Sequence, residues 1–188
     1  EVTSRALAHL YRHHAEQRPG LRLAAFVAAS GSSGTLAAGE RLKADHGARI
    51  VAVEAVECPT MLYNGYGEHN IQGIGDKHIP FIHNVMNTDV VVGVSDRSTD
   101  ALDAVFNTDA GKAHLVDRVG LDPALVDMLV HMGYSAIANA LAAITIAKDR
   151  GLGHDDVIVT VATDGSELYD SEREEYLARH HANGYDAV

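Results

Sequence analysis

Residues 27–42 read VAASGSSGTLAAGERL: an apolar run, a hinge of glycine and serine, then the opening turns of a helix. A glycine-rich turn between a buried strand and a helix start leaves backbone N–H groups unpaired and pointing one way. The helix dipole adds partial positive charge at the same place. Such a hinge suits an anion, most often phosphate, and the hydroxyls of Ser32, Ser33 and Thr35 can donate further bonds to it. A plain strand-to-helix turn uses the same residue types, so the hinge has to be weighed with what surrounds it.

Outward from the hinge the pattern alternates. LRLAAFVAA (21–29) is a buried strand, TLAAGERLKADHG (35–47) a helix closed by Gly47, and RIVAVEAV (49–56) a second strand, which makes a βαβ unit. Before it, SRALAHLYRHHAEQ (4–17) has amphipathic helical spacing. After it come a strand in TDVVVGVS (88–95) and helices in STDALDAVFN (98–107) and SAIANALAAITIAKDRG (135–151). A closing strand follows in DVIVTVAT (156–163). Strands apolar at every position are covered by helices on both faces. The expected architecture is one α/β domain over residues 1–188, three layers with a mostly parallel sheet. YNGYGEHNIQGIGDKHIP (63–80) is rich in turn formers and reads as a long shaped loop.

The chain has 188 residues, 46% of them hydrophobic, and a formal net charge of −11. That charge repels a nucleic-acid backbone or an anionic membrane surface, so small molecules and proteins are the expected partners. One cysteine, Cys58, cannot form an internal disulfide, which fits a reducing, cytoplasmic setting. The apolar stretches, ANALAAITIA (138–147) among them, are too short to span a bilayer. No cleavable signal is legible at the start, and a first residue of Glu rather than Met suggests a piece of something longer.

In a parallel open sheet, ligands lie beyond the carboxyl ends of the strands. The hinge, the stretch 64–80 and TDGSELY (163–169) all occupy such places. A dinucleotide fold is one alternative, because Glu54 closes the second strand about twenty residues after the hinge, where an acid would bind ribose hydroxyls. However, Gly31 and Gly34 enclose two serines and do not make G-x-G-x-x-G.

Three segments together resemble the cysteine synthase-like, fold type II family of pyridoxal-phosphate enzymes. FVAASGSSGT (26–35) is similar to that family's strand and G-T-G-G-T phosphate loop. VAVEAVECP (51–59) is similar to the next strand, ending in V-E-P, and HNIQGIGDKHIP (69–80) resembles its H-x-I-Q-G-I-G-x-x-x-I-P loop. GYSAIANALAAITIAK (133–148) resembles the helix after its G-x-S-S-G-A segment. The likeness covers nearly the whole chain but corresponds to the C-terminal part of a family member.

The resemblance implies the fold type II architecture and pyridoxal 5′-phosphate as cofactor. Its phosphate would be held by Gly31, Ser32, Ser33, Gly34 and Thr35, and Gly73, Ile74 and Gly75 would line the same site. In ATDGSELY (162–169) the residue facing the ring nitrogen falls on Asp164 or Gly165, with Ser166 next along. Asp164 equally suits a helix N-cap. The implied reaction is β-replacement or β-elimination on a small amino acid. The family's Schiff-base lysine motif and its T-S-G-N-T-like loop are absent, and Lys43, Lys77, Lys112 and Lys148 stand in other contexts. The expectation is therefore no catalytic residue in this chain, and a homodimer or a partner chain bearing the lysine. A non-catalytic binding or regulatory module of the same fold is the competing reading.

Other residues invite roles. The twelve histidines include His13-His14 and His180-His181 but show no metal-ligand spacing. His69, His78 and His83 fall near the expected site, as do Tyr63, Tyr66 and Tyr134, although packing explains tyrosines in shaped loops equally well. Cys58 reads as a buried thiol.

Overall fold

The computed structural model describes residues 2–185. In chain order the elements are α1 (Val2–Gln17), β1 (Arg22–Ala29), α2 (Gly34–His46), β2 (Arg49–Ala55), α3 (Thr60–Tyr63), β3 (Val90–Val94) and α4 (Asp96–Asn107). There follow α5 (Asp109–Asp117), α6 (Pro123–Met128), α7 (Tyr134–Asp149), β4 (Asp156–Thr160) and α8 (Asp170–His180). The four strands form one sheet in the order β3-β2-β1-β4, and every neighbouring pair is parallel.

The apolar run of β1 explains the layering. Successive side chains leave a strand on opposite faces, so Ala25 and Val27 enter one core while Phe26 and Ala28 enter the other. All four are fully buried. On the Phe26 face, Leu7 and Ala8 of α1 and Leu36 and Leu42 of α2 complete the packing. On the Val27 face, α7 supplies Tyr134, Ala138, Ala142 and Ile146. Burying a side chain such as Leu42 or Phe26 stabilises the fold by about 1.5–3 kcal/mol each.

This is the α/β architecture expected from sequence, a parallel sheet between helical layers. The four strands and the four longest helices coincide with the periodic segments, and 64–84 carries no regular element. Four helices had no sequence reading, among them the single turn of α3. α8 buries no side chain fully, so it carries no apolar stripe to detect. α5 and α6 are short, although Asp122 before Pro123 is a helix-start signal and caps the amide of Ala124.

Close approach of α2 to the sheet requires Gly39. A Cβ there would lie 2.7 Å from both Ile50 Cδ1 and Phe26 Cδ1. That contact sets the height at which α2, and hence the hinge in front of it, sits above β1 and β2.

Candidate functional site

Helix starts differ in how their orphan amides are satisfied. Ser95 caps α4 and Thr108 caps α5 through side-chain oxygens, and Glu54 accepts from Met61 and Leu62 at the start of α3, each at 2.9 Å. α2 and α7 have no side-chain cap. Both begin at one cleft of about 90 Å³ beyond the carboxyl ends of β1 and β4. None of its lining residues carries a charge, so in a chain of net charge −11 any attraction for an anion comes from amides and helix dipoles.

Gly31, Ser32, Ser33, Gly34 and Thr35 form one wall. Ser33 adopts a left-handed conformation, φ 63°, unusual for a residue with a side chain, and its hydroxyl turns inward to within 3.4 Å of Ser30 Oγ. Among the described residues the hydroxyls of Ser32 and Thr35 have no partner within the protein, and both residues face the cleft.

Gly73 and Ile74 form a second wall, folded against Gly31, where a Cβ would lie 3.5 Å from Gly73 O. Gly75 turns away from the cleft: its N–H donates to Ser30 O at 2.8 Å, and it borders a small cavity beside Cys58 and Thr60. Its φ of +87° and the ring of His69, 2.2 Å from where a Cβ would stand, restrict the position to glycine.

The third wall comes from α7 and from the chain after β4: Ser135, Asn139, Val161 and Thr163. Ser135 Oγ lies 2.8 Å from Thr163 Oγ1, which donates to Asp164 Oδ1 at 3.1 Å. Asp164 also accepts the Tyr169 hydroxyl, and its backbone oxygen accepts from Gly133, just before α7, at 3.0 Å. Burial and the Asp164 carboxylate push the Tyr169 phenol up to about 12. Asn139 donates through Nδ2 to Val161 O at 3.1 Å.

Of the expected residues, the hinge and Gly73 and Ile74 come together in the cleft. Asp164 stands one hydrogen bond behind its wall, held by Thr163 and Tyr169. Gly165 lies outside the lining, and Ser166 is buried, 2.7 Å from Asn107 Oδ1 and 3.0 Å from Val130 O. Thr163, in the segment 163–169 expected at the strand ends, lines the cleft, whereas Ser135 and Asn139 were missed by sequence reasoning. Their signal was present in α7, where Ser135 and Asn139 are polar residues four apart, hence on one face of an otherwise apolar helix.

The remaining candidates lie elsewhere. Lys43 pairs with Asp89 at 2.7 Å, Lys77 stands 5.3 Å over the Tyr66 ring, and no lysine lines the cleft. Glu54 is buried with both carboxylate oxygens used by α3, which leaves neither for a ribose. His83 bonds Thr88 at 2.8 Å, with burial lowering its pKa, and His78 borders the Cys58 cavity. Tyr63 and Tyr66 are exposed, Tyr134 and Cys58 are buried, and among the described residues no group of His, Cys, Asp or Glu could hold a metal. No single described helix is long and apolar enough to cross a membrane.

A larger, acidic cleft of about 440 Å³ opens between His69, α4 and α8, with Asp96, Asp100 and Glu172 in its lining. Burial raises the carboxyl pKa of Asp96 and of Asp100, although amides at 70 and 71 donate to Asp96 and Asn70 Nδ2 donates to Asp100.

No protein-family model matches the sequence. The chain is 33% identical to cysteine synthase B of Campylobacter jejuni over 146 residues, 77% of this chain and 42% of that protein. In structure it is similar to a hydrogen sulfide-producing enzyme from Fusobacterium nucleatum, with TM-score 0.61 and 27% identity over 90% of this chain and 48% of the other. It is also similar to an O-acetylserine-dependent cystathionine β-synthase from Helicobacter pylori, with TM-score 0.62 and 25% identity over 86% and 46%. The chain thus spans less than half the length of each of these relatives. Its glycine-serine hinge, its QGIG loop, the parallel sheet that carries them and these relatives place it in the cysteine synthase-like, fold type II family of pyridoxal-phosphate enzymes.

Proposed function

We propose that this chain supplies the phosphate-binding part of a pyridoxal-phosphate-dependent enzyme that carries out β-replacement or β-elimination on a small amino acid. The observation that carries the reading is the convergence of two uncapped helix starts, α2 and α7, on one uncharged cleft at the strand ends. Amides there have no intrahelical partner, and a phosphate dianion would take several of them at once.

The residues present fit the phosphate group. Amides of Gly31 to Thr35 and the hydroxyls of Ser32 and Thr35 would donate to it, and Gly73 and Ile74 would close one side. When bound, pyridoxal phosphate supplies an electron sink for negative charge developing on the amino acid's α-carbon. This chain's task is to fix the cofactor at one end, with Thr163 held in the wall by Asp164 and Ser135. No lysine lines the cleft, so the group that forms the Schiff base is assigned to residues outside this chain's span, in the same polypeptide or in a partner. A cytoplasmic, two-fold assembly that completes the site belongs to the same proposal.

Titration of the chain with pyridoxal 5′-phosphate, followed by borohydride and mass spectrometry, tests the reading. Reversible binding that is lost in Ser32→Ala/Thr35→Ala, with no stoichiometric lysine adduct, is the expected result. A single clean adduct at Lys77 would overturn the assignment of the lysine. Absence of binding would favour the non-catalytic module, the alternative that the lysine-free cleft leaves standing.

A further inference from the structure

The wall made by Gly73 and Ile74 belongs to a stretch with no regular element, so neither helix nor strand pairing holds it against the hinge. Its far end is tied by the Gly75 amide, which donates to Ser30 O at 2.8 Å. Its near end hangs on α4. Asp96, the first residue of that helix, accepts the amide of Asn70 through Oδ2 at 2.6 Å and the amide of Ile71 through Oδ1 at 3.2 Å. Between the two ties the side chain of Ile71 is fully buried in the core on the Val27 face.

Both oxygens of one carboxylate are thus taken up by successive amides of the loop. Only a carboxylate offers two acceptors and no donor at such a place. An amide of the same shape would turn an N–H toward one of the two loop N–H groups and leave it unpaired. The bonding continues toward the wall, since Asn70 Nδ2 donates to Asp100 Oδ1 at 2.9 Å and Gln72 Nε2 donates to Asn70 Oδ1 at 3.2 Å. Asp96 itself lines the acidic cleft and does not reach the hinge cleft.

We propose that Asp96 is a positioning residue for the hinge cleft: its carboxylate, through the amides of Asn70 and Ile71, sets the wall of Gly73 and Ile74 against the hinge. This rests on the reading of the cleft as an anion site and adds a determinant that lies outside it. Loosening the tie leaves the sheet and the hinge in place but lowers the fraction of molecules whose wall is closed. Affinity for the anion falls by that fraction.

The test is titration of the whole chain with pyridoxal 5′-phosphate at pH 7 in native, Asp96→Asn and Ser95→Ala forms, with NMR amide signals of Gly73 and Ile74 recorded before ligand is added. Ser95 caps the same helix start and bonds within its own helix, so Ser95→Ala should lower the melting temperature without releasing the loop. Asp96→Asn is expected to bind about tenfold more weakly, the effect of one unpaired amide, and to shift the signals of Gly73 and Ile74. Ser95→Ala should keep the native affinity and signals. Native affinity in Asp96→Asn, or equal weakening in both variants, overturns the role of Asp96 and leaves the anion site in place. Failure of the native chain to bind overturns the reading of the cleft and this proposal with it.

Discussion

The hydroxyl of Ser135 lies 2.8 Å from that of Thr163 and joins the first turn of α7 to the chain emerging from β4. Residues 28 positions apart are thereby tied at the point where the wall of the cleft is made. In a double-mutant cycle of Ser135→Ala and Thr163→Val, a coupling of about 0.5–1.5 kcal/mol is expected. Urea unfolding of the four proteins measures it, and additive effects would show that the two hydroxyls do not depend on one another.

Two glycines near the cleft should respond in opposite ways. Gly39→Ala pushes a methyl group to 2.7 Å from Ile50 and Phe26, and overpacking of this kind costs about 1–3 kcal/mol of stability. Gly31→Ala meets its nearest neighbour at 3.5 Å, an ordinary contact, so the fold should keep its stability while the methyl occupies space at the hinge. Thermal melts with and without pyridoxal 5′-phosphate separate the two: the first variant melts lower in both, and the second loses only the ligand-induced rise.

Asp96, Asp100 and Asp103 recur at intervals of four and three residues on one side of α4, and burial raises the carboxyl pKa of each. In the unfolded chain these groups lose their protons at lower pH than in the folded one. Stability from them is therefore fully present below the ordinary aspartate pKa and is lost as pH rises through the folded values. Asp100→Asn should raise the melting temperature at pH 7 and leave it nearly unchanged at pH 3. A lower melting temperature at pH 7 would show that the bond from Asn70 outweighs the cost of burial.

Arg173 reaches from α8 to the fully buried carboxylate of Asp103 at 3.0 Å. Removing one partner of a buried pair costs about 3–5 kcal/mol, because the other charge stays behind. Arg173→Met should be destabilised by that order near neutral pH and by less in acid, where Asp103 takes a proton. Adding Asp103→Asn should recover much of the loss. Denaturant midpoints at pH 7 and pH 4 check both statements.

The sheet was legible because both its faces are buried. A strand such as β1, apolar at every position after Arg22, and a helix such as α7 leave marks that survive without any homologue. The hinge was legible for a different reason, since Gly31, Gly34 and their serines are turn formers between a strand and a helix. The α7 side of the cleft wall was not. Ser135 and Asn139 act through where α7 brings them, and tertiary placement leaves no local signature beyond polar residues on an apolar face. Asp164 shows the converse: its place in the chain suggested the cleft, yet its carboxylate is taken up by Thr163 and Tyr169. α8 was silent because its contribution is the ion pair from Arg173 rather than an apolar stripe.

α2 lies on one face of the sheet and α7 on the other, and both begin at the same cleft. A molecule held by both helix starts therefore clasps the two outer layers across the sheet's end. Occupancy is then linked to unfolding by mass action: at a hundredfold excess over the dissociation constant, a ligand seen only by the folded state adds about 2.7 kcal/mol. The melting temperature of this chain should climb with the logarithm of free ligand, so a thermal scan against a small library of phosphorylated compounds can rank its ligands without any catalytic assay.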